Sequence, residues 1–175
     1  MRDLSLHILD IVMNSIRAKA TRIEIIIDED IEKDYLIVKI KDNGQGMGEE
    51  EVKKVLNPFY TTRTTRKVGL GLSLFAQNAE LTGGYVEIES TLGKGTLVKA
   101  KYVLSHIDRI PLGDIKETLM SLIVLEPDID FYFQFIKNGT IYELDTTLIK
   151  LVLNEVPINH PDVLSWIKED LNHSF

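Results

Sequence analysis

"KDNGQGMG", residues 41–48, follows the apolar run Tyr35–Ile40 and decides how this chain is read. Asp-Asn-Gly is a strong turn signal, because Asn and Gly both tolerate positive φ. Two readings fit those eight residues taken alone. One is a plain turn between strands, and the other is a loop shaped so that backbone approaches a ligand. The flanking segments have to separate them.

On either side of the acidic turn 29–34, "TRIEIIID" (21–28) and "YLIVKIK" (35–41) have the length and β-branched content of strands. Upstream, residues 3–19 read as a helix of unusual pattern. At 100° per residue, Asp3, His7, Asp10, Asn14 and Arg17 fall within about 80° of arc, and nearly everything else on the wheel is apolar or small. A surface helix has the opposite proportion. This one is expected to be buried on most sides, with a narrow polar strip facing either water or a ligand.

Downstream of the glycine loop, Glu49–Leu56 suits a short helix with carboxylates in its first turn, ended by Asn57-Pro58. "FYTTRTTRKV" (59–68) has no period and reads as a loop, with three cations and four hydroxyls in the seven residues 61–67. "GLGLSLFAQNAELTGG" (69–84) reads as a helix opened by glycines and stopped by Gly-Gly. "YVEIES" and "GTLVKAKYVL" are expected strands joined at Thr91–Lys94.

The style changes beyond Ser105. "PLGDIKETLMSLIVLE" resembles a helix with Pro at its start. "IDFYFQFIKNGTIYEL" is an expected hairpin whose Asn-Gly turn leaves Phe131, Phe133 and Phe135 on one face. Helical stretches follow near Thr146–Glu155 and Pro161–Asn172. Residues 1–104 carry 15 acidic and 15 basic side chains, and residues 105–175 carry 12 and 5, so the net charge of −7 lies wholly in the last 71 residues. That asymmetry hints at a domain boundary, with a small acidic α+β module over 105–175. It also argues against a nucleic-acid binder, which needs a basic footprint.

No apolar run approaches the roughly 20 residues needed to span a bilayer, and Asp3, His7 and Asp10 interrupt any signal-peptide pattern. With no cysteine there is neither a disulfide nor a thiolate metal site. A cytoplasmic protein acting without a membrane is the simplest expectation.

Three features converge on one chemistry, with a fourth in "GKGT" (93–96), which places a Thr hydroxyl where a strand begins. An Asn on a mostly buried helix offers a hard oxygen to Mg²⁺, which is usually held by few protein atoms plus waters and phosphates. Arg17 stands one turn further along, suited to a phosphate charge, and Asp10 one turn earlier, suited to a water. The loop Asp42–Gly48 offers a carboxylate beside glycines at 44, 46 and 48, suited to a flat ring with an exocyclic amine. "TTRTTRK" precedes a glycine-rich helix start, where backbone N–H groups favour anions.

In this order the set resembles the GHKL, or Bergerat-fold, ATPases, which include DNA gyrase, heat-shock chaperone ATPases, histidine kinases and mismatch-repair ATPases. "DIVMNSIRA" is similar to the family's N box, "DNGQGM" to its G1 box, "NPFYTT" to its F box and "GLGLS" to its G2 box, while "GKGT" (93–96) resembles its last strand entry. The resemblance covers about residues 3–104 and implies a two-layer α/β sandwich, with helices on one face of a mixed, mainly antiparallel sheet.

Residue by residue, the resemblance implies that Asn14 coordinates the Mg²⁺ bridging the phosphates of ATP. Asp42 receives the adenine amine, with Gly44, Gly46, Met47 and Thr96 around the base. Residues 57–68 form an ATP lid, bringing Thr61, Thr62, Arg63, Arg66 and Lys67 to the phosphates. Gly69, Leu70, Gly71 and Leu72 then present helix-start backbone to them. Arg17 falls where histidine kinases carry a basic residue.

Two departures stand out. Asp10 sits where hydrolysing members have a water-activating Glu, one methylene longer. Lys67-Val68 replaces the usual Gly-Thr before Gly69. The sequence opens on its N-box helix, and the expectation drawn from that is of something other than a complete histidine kinase.

The expectation is an ATP–Mg²⁺-dependent regulatory kinase or phosphotransferase acting on a partner protein. The alternative is a nucleotide-gated binding module with little turnover, and a slow ATPase ranks behind both. The acidic C-terminal segment suits docking to a partner protein or to a second copy, or a plain structural extension.

Overall fold

Alternation along "RIEIIID" puts Ile23, Ile25 and Ile27 on one side of a strand, and all three are buried. The same period buries Leu36, Val38 and Ile40 in the next strand, then Val98, Ala100 and Tyr102, then Phe131, Phe133 and Phe135. These rows form the floor of a single apolar core. Each fully buried side chain of this size contributes about 1.5–3 kcal/mol over exposure.

The structure is a computed structural model that describes residues 3–57 and 70–175, the Leu70 side chain excepted. In chain order the elements are α1 (Leu4–Arg17), β1 (Arg22–Asp30), β2 (Tyr35–Asp42), α2 (Glu49–Val55), α3 (Leu70–Leu81), β3 (Tyr85–Thr91) and β4 (Gly95–Val103). Then come α4 (Ile115–Leu125), β5 (Asp130–Lys137), β6 (Thr140–Asp145), α5 (Thr146–Leu153) and α6 (Pro161–Ser174).

The six strands make one mixed sheet in the order β3-β4-β2-β1-β5-β6. Only the β1–β5 pairing is parallel. Helices α1, α3, α4 and α6 contribute buried residues to the core above the sheet. The opposite face carries polar side chains such as Glu24, Lys39, Lys99 and Gln134, half-buried in the pleat. This is the expected two-layer sandwich.

The sheet runs across residue 105 without interruption. β5 pairs with β1 over eight positions, from Arg22↔Asp130 to Glu29↔Lys137. The Arg22 guanidinium reaches Asp145 at 3.3 Å and the Thr147 hydroxyl at 2.9 Å. At the other end of the core, Leu4 N donates to Pro111 O and Ser5 N to Leu112 O, both at 2.8 Å. Residues 111–112 thus satisfy two of the amides that a helix start leaves unpaired.

That use displaces the predicted helix start at Pro111. α4 begins instead at Ile115, after Gly113 at φ +78° and an Asp114 cap that accepts from Glu117 N at 2.9 Å. Among the described residues no helix is long and apolar enough to cross a membrane.

Candidate functional site

The strand period that builds the core also builds the site. Asp42, last in β2, has the same parity as Leu36, Val38 and Ile40, so its carboxylate points into the helix layer and is only 9% exposed. Register sets Ser90, Thr96 and Asp42 in one row across β3, β4 and β2. The row is closed by hydrogen bonds. Ser90 Oγ lies 2.8 Å from Thr96 Oγ1 and accepts from Met47 N at 2.7 Å. Met47, Thr96 and Asp42 are therefore brought together at one end of the sheet.

Above this row stands α1. The buried Ser15 hydroxyl donates to Asp42 Oδ2 at 2.6 Å, and Gly44 N donates to Asp42 Oδ1 at 2.9 Å. A carboxylate has about four acceptor positions, so these two bonds do not exhaust it. Asn14 precedes Ser15 on the same helix and is half-buried, and its Oδ1 accepts from Arg17 Nη1 at 2.9 Å. Asn14 is thus the chain neighbour of the α1 residue that bonds Asp42.

The loop that follows Asp42, residues 43–48, is held by protein on several sides. Gln45 N donates to Ala18 O at 2.8 Å, and Asn43 Oδ1 accepts from Thr21 N and Arg22 N at 2.9 and 3.0 Å. A Cβ at Gly44 would come within 2.7 Å of Ala18 O, and one at Gly46, where φ is +69°, would overlap the Thr91 carbonyl. These two glycines serve close packing of the loop against α1 and the β3–β4 turn. Gly48 has only Leu92 Cδ1 nearby, at 3.8 Å.

The start of α3 meets the other end of the polar strip. A Cβ at Gly71 would lie 2.6 Å from Asp10 Oδ2 and 2.8 Å from Asp10 Cβ, so the missing side chain is what lets α3 approach α1. Leu72 turns into the core and is 4% exposed, which leaves only its backbone for any ligand. Leu70 opens the helix. Thr61, Thr62, Arg63, Arg66, Lys67 and Gly69 lie outside the described residues.

Three polar residues not singled out from the sequence prove to organise this region. Ser15 holds Asp42, Ser90 holds Met47 and Thr96, and Asn43 pins the loop to β1. Only Asn43 carried a local signal, through its place in the Asp-Asn-Gly turn. The two serines read as ordinary helix and strand positions until tertiary pairing places them.

The sequence pattern of the family described as "Histidine kinase-, DNA gyrase B-, and HSP90-like ATPase" matches residues 2–105. A putative sensor protein of Shewanella frigidimarina is 36% identical over 103 residues, 58% of this chain and 16% of that protein. Sensor kinase CckA of Brucella abortus is 38% identical over 69 residues, 39% of this chain and 7% of its own length. Sporulation kinase E of Bacillus subtilis is 39% identical over 67 residues, 38% of this chain and 9% of its own. The matched stretches are thus less than a fifth of these relatives.

Among solved structures, the Aquifex aeolicus MutL ATPase domain complexed with ADP shares the fold, with a TM-score of 0.52 at 16% identity over 97% of this chain and 88% of that one. The chain belongs to the histidine kinase-, DNA gyrase B- and HSP90-like ATPase family, and its first 105 residues are homologous to the ATP-binding domains of histidine kinases.

Proposed function

We propose that this chain binds ATP with Mg²⁺ between Asn14 and Asp42 and passes the γ-phosphoryl group to a residue on a partner protein. The observation that carries the reading is the Ser15–Asp42 bond, which sets an acceptor-only carboxylate beside the helix bearing Asn14. Such a carboxylate suits the exocyclic amine of adenine. Thr96 and Met47 border the same row.

The donor set suits magnesium. No group of three or more His, Cys, Asp or Glu side chains able to hold a metal occurs among the described residues. A single amide oxygen at Asn14 fits an ion that keeps waters and phosphate oxygens as its other ligands. When bound, the ion would neutralise phosphate charge. Arg17, now donating to Asn14 Oδ1, is within one helical turn of the same anion. Phosphoryl transfer requires positioning and charge neutralisation rather than a covalent enzyme group.

The test is incubation with ATP–Mg²⁺ and co-purifying proteins, read by intact mass. A gain of one phosphate on a partner supports transfer, and no gain on any of them overturns it. A second reading, a nucleotide-gated binding module with little turnover, is favoured by Asp10. That acid is short for water activation, and its carboxylate lies against the α3 backbone at Gly71. Partner affinity that is the same with ATP, with ADP and without nucleotide removes this second reading.

A further inference from the structure

Resting on the nucleotide-binding reading above, we propose that His7 is a positioning residue that holds the first turn of α3 in its ligand-ready place. His7 is 3% exposed and lies on the polar strip of α1, one turn before Asp10. Its Nδ1 is 3.3 Å from Gly71 O, 64 positions away in the chain. A carbonyl only accepts, so the imidazole carries its proton on Nδ1 and donates. The ring also stands 6.1 Å from that of Phe75, one turn further along α3. His7 therefore grips the first two turns of α3 by a hydrogen bond and a ring contact.

The location gives this grip its consequence. α3 opens at Leu70, and Gly71 is where its backbone comes against Asp10. The first amides of a helix have no partner within the helix and favour anions. Their usefulness to a phosphate depends on the turn being formed before the ligand arrives. A turn ordered only on binding charges its conformational entropy against affinity. An imidazole buried beside Phe75 is also a poorer filler than an aliphatic side chain, since desolvation of its polar atoms costs stability. The return on that cost is the bond to Gly71.

His7→Asn and His7→Leu form a matched pair of nearly equal shape. Asn retains an N–H close to the Nδ1 position and Leu has none, while both lose the ring contact equally. Calorimetric titration with ATP–Mg²⁺ and thermal unfolding without nucleotide are measured on both. The expected result is Asn within about twofold of the wild-type affinity and Leu five- to tenfold weaker, one neutral hydrogen bond's worth. Leu should nevertheless melt no lower than Asn, because it sets apolar surface beside Phe75 and buries no polar group, a divergence that packing alone does not produce.

Equal affinities for the two variants overturn the proposal. Should either fail to fold, ¹⁵N shifts of the wild-type His7 ring decide it. Protonation at Nδ1 sustains the donor role, and protonation at Nε2 alone overturns it. Absence of ATP binding by the wild-type chain would instead overturn the nucleotide-binding reading on which this inference rests.

Discussion

The Ser15 hydroxyl and the Asp42 carboxylate meet at 2.6 Å, joining the polar strip of α1 to the end of β2. Both side chains are buried, so neither has water as a ready substitute partner. Ser15→Ala leaves a carboxylate oxygen with its main donor gone, and bonds to charged groups of this kind are worth about 1.5–3 kcal/mol. The variant is expected to lose that much in denaturant unfolding, and ATP affinity is expected to fall about tenfold or more as the carboxylate loses its fixed orientation. Unchanged unfolding and affinity would show that the bond does not hold Asp42.

Two glycines of the same loop should behave oppositely. Gly46→Ala forces a side chain onto φ +69° and into the Thr91 carbonyl, and is expected to cost more than about 2 kcal/mol. Gly48→Ala meets only Leu92 Cδ1 at 3.8 Å and is expected within about 0.5 kcal/mol of the parent. Chemical denaturation of the two variants checks the contrast. Equal costs would mean that the loop is placed differently.

Residues 105–175 do structural service for the nucleotide-binding half. A fragment ending at residue 104 loses the β5 partner of β1, the carbonyls that cap α1 and the Asp145 partner of Arg22. It also bares Ile23, Ile25 and Ile27 along a new sheet edge. Circular dichroism should show no cooperative melt for it. A cooperative melt with retained ATP binding would establish 1–104 as an autonomous unit.

His7 predicts a pH dependence of stability. Burial holds its pKa below the ordinary 6.5, against smaller opposing effects from the Gly71 carbonyl, Asp10 and Asp3. The unfolded chain therefore takes up a proton at this site before the folded chain does. Its contribution is fully present above pH 6.5 and is lost as pH falls toward the lowered folded value. Denaturant midpoints measured from pH 7.5 to 5 should decline across that window in the parent, and less in His7→Leu. An identical decline in both assigns the effect elsewhere.

How much of this was readable in advance varies with the range of the interactions. Strands β1 and β2, the hairpin β5–β6 and the burial of Phe131, Phe133 and Phe135 follow from period-2 alternation, a local signal. The parallel insertion of β5 beside β1 carries no such signal, because it joins segments about a hundred residues apart. Pro111 misled as a helix start, since what fixes it is a distant need, the open amides of α1. In the site, Asp42 and Asn14 stood out as polar residues at ends or strips of apolar elements. Ser15 and Ser90 did not, because a small hydroxyl shows its role only once strand register and helix docking bring its partner near.

Titration calorimetry with ATP–Mg²⁺, run on the parent chain and on Asp42→Ala, tests the central claim most directly. Saturable one-to-one heat is expected from the parent, with none from the variant, whose circular dichroism should remain that of the folded chain. No heat from the parent, or equal heat from both, would contradict the account.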